Sequence, residues 1–240
     1  MVKIFNKLIE FLFPPACPLC DTPVSTHGEL CADCWMSVNW IDSPKCVKCG
    51  YPFPGDLDLG GTPLCPTCAS GKCELDWIRS ACVYDEASRS AMLPFKHAGR
   101  VQYAHFMSRA MMRALRDIDV DVDIVMPVPL ANRRLFKRGY NQATLLARPI
   151  AKVLNVKLDL DSVKRIYRPD MGHKNAHERA ENIHGVFSVV NLEKVRGKRI
   201  LLVDDVMTTG ATFSELRRVL MRAGASAVYG VTFCRVVRAI

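Results

Sequence analysis

Two adjacent carboxylates, Asp204 and Asp205, follow the apolar run at residues 200–203 and precede small and hydroxylated residues around Gly210. The apolar run is typical of a short strand that is buried on both faces of a parallel sheet. Open α/β sheets bind their ligands at the carboxyl ends of such strands. We therefore predict that the two acids lie at a ligand-binding edge of a sheet.

A phosphate site is predicted directly after the two acids. A helical pattern begins at residue 213, so the residues before it form a loop at a helix N-terminus, where backbone N–H groups and the helix dipole attract anions. Acids followed by such a loop suit the vicinal hydroxyls and phosphate of a ribose 5-phosphate. The candidate phosphate-binding residues are Val206, Met207, Thr208, Thr209, Gly210, Ala211 and Thr212. The alternative is an ordinary turn in which Thr212 and Glu215 form a capping box.

This segment closely resembles the loop of type I phosphoribosyltransferases that binds 5-phosphoribosyl-1-pyrophosphate (PRPP). The resemblance implies that Asp204 and Asp205 are the catalytic acids and hold the ribose hydroxyls. It also implies that Mg²⁺ accompanies PRPP near the two carboxylates. The spacing does not match a P-loop, which ends in Gly-Lys-Ser/Thr, or the G-x-G-x-x-G fingerprint of dinucleotide sites.

A second anion-binding stretch is predicted after the strand at residues 123–128. A flexible basic loop follows this strand and carries Arg133, Arg134, Lys137 and Arg138. Arginine binds phosphate oxygens bidentately, so Arg133, Arg134 and Arg138 are candidates for binding pyrophosphate. Lys96 is a further candidate. The alternative for these residues is a solvated basic surface.

Eight of the eleven cysteines form four C-x-x-C pairs within the first 68 residues. Two such knuckles close one tetrahedral Zn²⁺ site, so the pattern predicts two structural zinc ions. Sequential pairing is favoured over interleaved pairing, and an iron–sulfur cluster is the competing interpretation. The candidate metal ligands are Cys17, Cys20, Cys31 and Cys34 for the first ion, and Cys46, Cys49, Cys65 and Cys68 for the second.

The remaining pattern predicts how these residues are positioned. Strands are expected at 78–84, 123–128, 185–190, 199–203 and 227–234, and helices at 101–116, 141–154 and 213–222. This alternation predicts an α/β fold with a doubly wound parallel sheet. We expect a Cys-rich zinc module at residues 1–76 and a phosphoribosyltransferase-like domain at residues 77–240.

Charge is distributed unevenly along the chain, whose formal net charge is +9. Residues 131–182 contain twelve Lys/Arg against five Asp/Glu, whereas residues 1–80 contain six basic and nine acidic side chains. A polyanion is therefore expected to meet the C-terminal part of the chain. No segment has the length and apolarity of a membrane span, so we expect a cytoplasmic protein without membrane insertion.

Over nearly its full length the chain resembles the ComF family of competence proteins. The resemblance includes the four cysteine knuckles, the Arg138-Gly-Tyr-Asn-Gln142 motif, residues 178–182 and the Asp204–Asp205 loop, in that order. It implies a role in natural transformation, with single-stranded DNA and a helicase-like competence protein as partners. The alternatives are an active phosphoribosyltransferase that uses a small acceptor, and a PRPP-sensing regulator, because one fold serves all of these roles.

Overall fold

The computed structural model describes residues 14–55, 60–97, 99–166 and 184–237, with the backbone alone described at residues 97, 132, 134 and 137. The motif at residues 178–182 lies outside this part. Within it the helices are α1 (Ala32–Ser37), α2 (Pro66–Ala69), α3 (Glu86–His97), α4 (Tyr103–Ala114), α5 (Asn132–Arg138), α6 (Gln142–Leu154) and α7 (Ala211–Arg222). The strands are β1 (Ile78–Val83), β2 (Ile124–Pro127), β3 (Lys157–Leu158), β4 (Val163–Arg165), β5 (Phe187–Val189), β6 (Arg199–Met207) and β7 (Ala227–Arg235).

Five strands form one parallel sheet in the order β1-β7-β6-β2-β3. The predicted fold class is therefore confirmed. In β6, the side chains of residues 200–203 have no exposed surface, because helices cover both faces of the sheet. Leu201 and Val203 pack with α4 and α6 in one core cluster. Ile200 and Leu202 pack with Phe213 of α7 in a second cluster on the other face.

Strand β6 is longer than the sequence pattern predicts. It pairs with β2 as far as Val203, opposite Pro127, and it continues beside β7 as far as Met207, opposite Arg235. The prediction that the strand ends at Val203 is wrong, because β7 supplies hydrogen bonds beyond the end of β2. Asp204 and Asp205 therefore lie within the last part of β6, where the strand has lost its neighbour on one side.

Strand β5 does not belong to the parallel sheet. It pairs with β4 in an antiparallel ribbon, with Phe187 opposite Arg165. The sequence correctly predicts a strand there, but the alternation of strands and helices wrongly assigns it to the parallel sheet. The N–H of Gly185, just before β5, donates to the Glu215 carboxylate of α7 at 2.6 Å. This contact holds the ribbon next to the helix that follows the candidate phosphate loop.

The cysteine-rich segment packs against the outer edge of the sheet. The N–H of Ile41 donates to the Ala81 carbonyl at 3.0 Å, and the N–H of Val83 donates to the Asn39 carbonyl at 2.8 Å. These bonds pair residues 39–41 with β1, the edge strand, and so satisfy backbone groups that an open edge leaves free.

Helices α1, α2, α3 and α5 are absent from the sequence prediction. The residues from Arg133 to Arg138, predicted as a flexible basic loop, form α5, which ends at Gly139 in the left-handed conformation (φ 77°). Five polar or charged positions in seven left no apolar periodicity to indicate a helix. In the described part of the chain, no helix has the length and apolarity needed to cross a membrane.

Candidate functional site

The two acids at the end of β6 have different surroundings. Successive side chains of a strand point to opposite faces, so Asp204 and Asp205 face different sides of the sheet. The Asp205 carboxylate is buried, and its Oδ2 atom lies 3.0 Å from Lys96 Nζ at the end of α3. The N–H of Asp205 donates to Asp204 Oδ1 at 2.9 Å.

Asp204 is held in an electrostatically unfavourable position. Burial raises the pKa of its carboxyl to about 8, and the nearby charge of Asp205 adds to the increase. The positive charges of Lys96 and of Arg165 in β4 oppose the increase. A desolvated carboxylate of this kind gains from hydroxyl donors or a cation. Arg165 was not among the predicted site residues, because a single arginine in a short strand gives no sequence signal.

The loop after β6 leads directly into a helix N-terminus. Thr208 and Thr209 are exposed, and Gly210 has φ 81° and is the N-cap of α7, which begins at Ala211. A Cβ atom on Gly210 would meet only Met207 Sδ at 3.8 Å, so backbone conformation rather than space favours glycine there. The first N–H groups of a helix have no intrahelical acceptors, so this loop presents donors to an anion.

The alternative interpretation of this segment, a capping box of Thr212 and Glu215, is wrong. Helix α7 begins at Ala211 rather than after Thr212. The buried Glu215 carboxylate accepts hydrogen bonds from Gly185 N at 2.6 Å and from Arg218 Nε at 2.7 Å. The bond from Arg218 lowers the pKa of Glu215. Glu215 therefore joins α7 to the β4–β5 ribbon.

A chain of hydrogen bonds fixes the end of α3, where Lys96 lies. The Tyr140 hydroxyl donates to the Phe95 carbonyl at 2.6 Å. Gln142 Nε2 donates to the Lys96 carbonyl at 3.4 Å, and Arg138 Nη1 donates to Gln142 Oε1 at 3.2 Å. The Arg138-Gly-Tyr-Asn-Gln142 motif thus holds the lysine that pairs with Asp205.

The four residues predicted to bind pyrophosphate are placed differently. Lys96 and Arg138 are linked to Asp205 through the contacts just described. Arg133 lies on α5 with an exposed side chain. Arg134 lies on the same helix, and its side chain is outside the described part of the structure.

The eight knuckle cysteines form two groups in sequential order, so interleaved pairing is wrong. Within each group the four Sγ atoms all lie within 4.8 Å of one another. Tetrahedral Zn–S bonds of about 2.3 Å place sulfur atoms roughly 3.8 Å apart, so both groups fit a Zn²⁺ ion. All four cysteines of the second group (Cys46, Cys49, Cys65, Cys68) are buried, whereas Cys20 of the first group is exposed. We call these groups zinc site 2 and zinc site 1.

Fold and site together define a phosphoribosyltransferase-type domain with an N-terminal pair of zinc sites. Family models agree: a double zinc ribbon domain matches residues 8–69, and a phosphoribosyl transferase domain matches residues 141–238. The iron–sulfur interpretation is therefore set aside in favour of zinc.

Curated relatives from several bacteria match most of the chain. DNA utilization protein YhgH of Escherichia coli K12 is 31% identical over 233 residues, covering 92% of this chain and 97% of the relative. Competence protein F of Haemophilus influenzae is 27% identical, covering 83% and 87%. Competence protein ComFC of Bacillus subtilis is 24% identical, covering 88% and 90%. The chain belongs to this ComF family of competence and DNA utilization proteins.

Proposed function

We propose that this chain binds PRPP, together with Mg²⁺, at the carboxyl edge of β6 and serves DNA uptake in that liganded form. The observation that carries the proposal is the pair of partly desolvated acids, Asp204 and Asp205, placed directly before an open helix N-terminus. Burial of charge is costly, and a ligand that bears vicinal hydroxyls and a phosphate satisfies both features at once.

Each part of the ligand has residues suited to it. The carboxylates of Asp204 and Asp205 flank the last part of β6 from its two faces and accept hydrogen bonds from the hydroxyls of a ribose that lies across the end of the strand. Residues 206–212 bind the 5-phosphate through backbone N–H groups. Lys96 and Arg138 lie on the side where the pyrophosphate is expected. Carboxylate oxygens suit Mg²⁺, which supplies further positive charge to the pyrophosphate when bound.

Calorimetric titration with PRPP and Mg²⁺ tests this proposal. Saturable binding is expected for the wild type and for Glu193→Gln, a control that removes an exposed acid in the segment before β6. The double variant Asp204→Asn/Asp205→Asn is expected to lose binding while keeping its fold, judged by circular dichroism. Equal affinity in the double variant, or no binding by the wild type, would contradict the proposed site.

Single-stranded DNA is the proposed macromolecular partner, because relatives are named for competence and DNA utilization. Helix α5 offers a suitable surface: Phe136 is 93% exposed, and the exposed Arg133 lies on the same helix. An exposed aromatic ring beside a cation stacks on nucleobases without sequence preference, contributing about 1–3 kcal/mol per base.

Fluorescence anisotropy with a labelled oligothymidylate tests the DNA partner. Phe136→Ser is expected to weaken binding by about tenfold or more. Leu192→Ser, which replaces another exposed apolar residue (51% exposed) in the segment before β6, at the opposite end of the parallel strands from α5, is the matched control. Affinity should fall steeply with salt. Equal affinity of the two variants would exclude α5 as the DNA-binding surface.

A further inference from the structure

Two buried arginines from neighbouring strands bind the same cysteine knuckle, at residues 46–49. Arg79 of β1 donates to the Val47 carbonyl at 3.0 Å and to the Lys48 carbonyl at 3.4 Å. Arg235 of β7 donates to the Cys49 carbonyl at 2.6 Å. This knuckle supplies two of the four ligands of zinc site 2.

The two arginines differ in how their charge is neutralised. Arg79 Nε lies 3.3 Å from Asp117 Oδ2, an ordinary ion pair. Arg235 is only 6% exposed, and within the described residues no carboxylate lies within ion-pair distance of it. Its Nε has no hydrogen-bond acceptor there, and its guanidinium lies over the Tyr51 ring, 5.1 Å from the centroid.

Zinc site 2 supplies the missing negative charge. Arg235 Nη1 lies 3.9 Å from Cys49 Sγ. Four thiolates around one Zn²⁺ ion carry a net charge of about −2. An unpaired buried charge is strongly unfavourable, so the zinc–thiolate centre is the counter-ion that lets Arg235 stay buried.

The backbone of Arg235 holds the strand that leads into the phosphate loop. Arg235 is the last residue of β7 and pairs with Met207, the last residue of β6. The next N–H, of Val236, donates to the Met207 carbonyl at 2.9 Å. Because β2 stops at Pro127, opposite Val203, β7 is the neighbour in the sheet that supports the end of β6.

We propose that zinc site 2 positions the phosphate loop through Arg235, which makes Arg235 a positioning residue for ligand binding. Zinc at the buried site 2, but not at the more exposed site 1, then controls the conformation of residues 206–210. The ligand in this inference rests on the proposed PRPP function, whereas the coupling between zinc and loop does not.

The test compares three variants of the full chain loaded with zinc. Arg235→Gln removes the charge, and Arg235→Lys retains it. Arg79→Gln is the matched control, because Arg79 binds the same knuckle but lies on β1, which does not neighbour β6. Three quantities are measured: zinc release to a colorimetric chelator, amide hydrogen exchange at residues 206–210 without ligand, and PRPP affinity with Mg²⁺.

Arg235→Gln is expected to release one of the two zinc ions faster, to raise exchange at residues 206–210, and to weaken PRPP binding about tenfold. Arg235→Lys should recover part of each effect and also serves if the glutamine variant does not fold. Arg79→Gln should alter zinc release alone. The inference would be overturned if residues 206–210 exchanged in Arg235→Gln at the same rate as in the wild type. It would also be overturned if they exchanged at the same rate in Arg235→Gln and Arg79→Gln. If the wild type does not bind PRPP, the proposed function fails, and zinc release and loop exchange still decide the coupling.

Discussion

Replacing Asp204 with asparagine is expected to stabilise the folded chain at neutral and alkaline pH while it impairs ligand binding. The folded state holds a proton on Asp204 more tightly than the unfolded chain does, because burial and the neighbouring Asp205 raise its pKa from 3.8 to about 8. Ionisation of this group therefore opposes folding, and its contribution to the stability of the wild type should fall as the pH rises from about 4 to about 8. Asparagine keeps the oxygen that accepts from Asp205 N and carries no charge.

The size of the effect follows from the same difference. At about 1.4 kcal/mol per pH unit, the interval between 3.8 and about 8 sets an upper limit of about 6 kcal/mol. Asp204 keeps part of its surface in water, which screens its charge, so a gain of about 1–3 kcal/mol above pH 8 is expected. The gain should become smaller as the pH falls below about 8.

Urea unfolding of zinc-loaded wild type and Asp204→Asn, measured from pH 6 to pH 9, where the cysteine thiolates keep zinc bound, provides the assay. Asp205→Asn is the matched comparison. It also relieves the repulsion between the two carboxylates, but it removes the ion pair with Lys96 Nζ at 3.0 Å, so it should gain less stability than Asp204→Asn. A stability difference between Asp204→Asn and wild type that does not change with pH, or an equal gain in Asp205→Asn, would show that ionised Asp204 does not oppose folding.

Three further changes have defined outcomes. Tyr140→Phe removes the hydroxyl that donates to the Phe95 carbonyl at 2.6 Å. Urea unfolding should show a loss of about 1 kcal/mol in the free energy of unfolding, and calorimetry should show weaker PRPP binding. Unchanged values would mean that this bond does not hold Lys96 in place. Gly210→Ala places a Cβ on a residue with φ 81°, which lowers the free energy of unfolding by about 1–2 kcal/mol. Calorimetry should show weaker PRPP binding. Wild-type affinity would show that the loop tolerates another conformation. Stripping zinc with a chelator should abolish the ordered structure of the cysteine module and lower the melting temperature; an unchanged melting curve would exclude a structural role for the metal.

The features that the sequence predicts are those whose cause is local. Residues 200–203 lie under helices on both faces of the sheet, so all four positions suit apolar side chains, and that run alone indicates a parallel strand. The C-x-x-C spacing likewise lets two thiolates of one turn bind the same ion. The order of the four pairs along the chain therefore favours the observed assignment of the first two pairs to one site and the last two to the other.

The features that the sequence does not predict depend on distant partners. The end of β6 extends to Met207 because β7 runs alongside it, and β5 leaves the parallel sheet because β4 pairs with it. Neither partner can be inferred from the strand's own residues. Arg235 is a single charge at the end of an apolar strand, and its importance arises only when the fold brings the Cys49 knuckle to it.

Hydrogen exchange of the wild type with and without PRPP and Mg²⁺ is the sharpest test of whether PRPP binds at the end of β6, because it locates the ligand as well as detecting it. Exchange of the backbone amides at residues 204–212, where the acids and the helix N-terminus meet, should become slower, with little change at zinc site 1. Unchanged exchange at residues 204–212 at saturating PRPP, or protection confined to another part of the chain, would contradict PRPP binding at the end of β6.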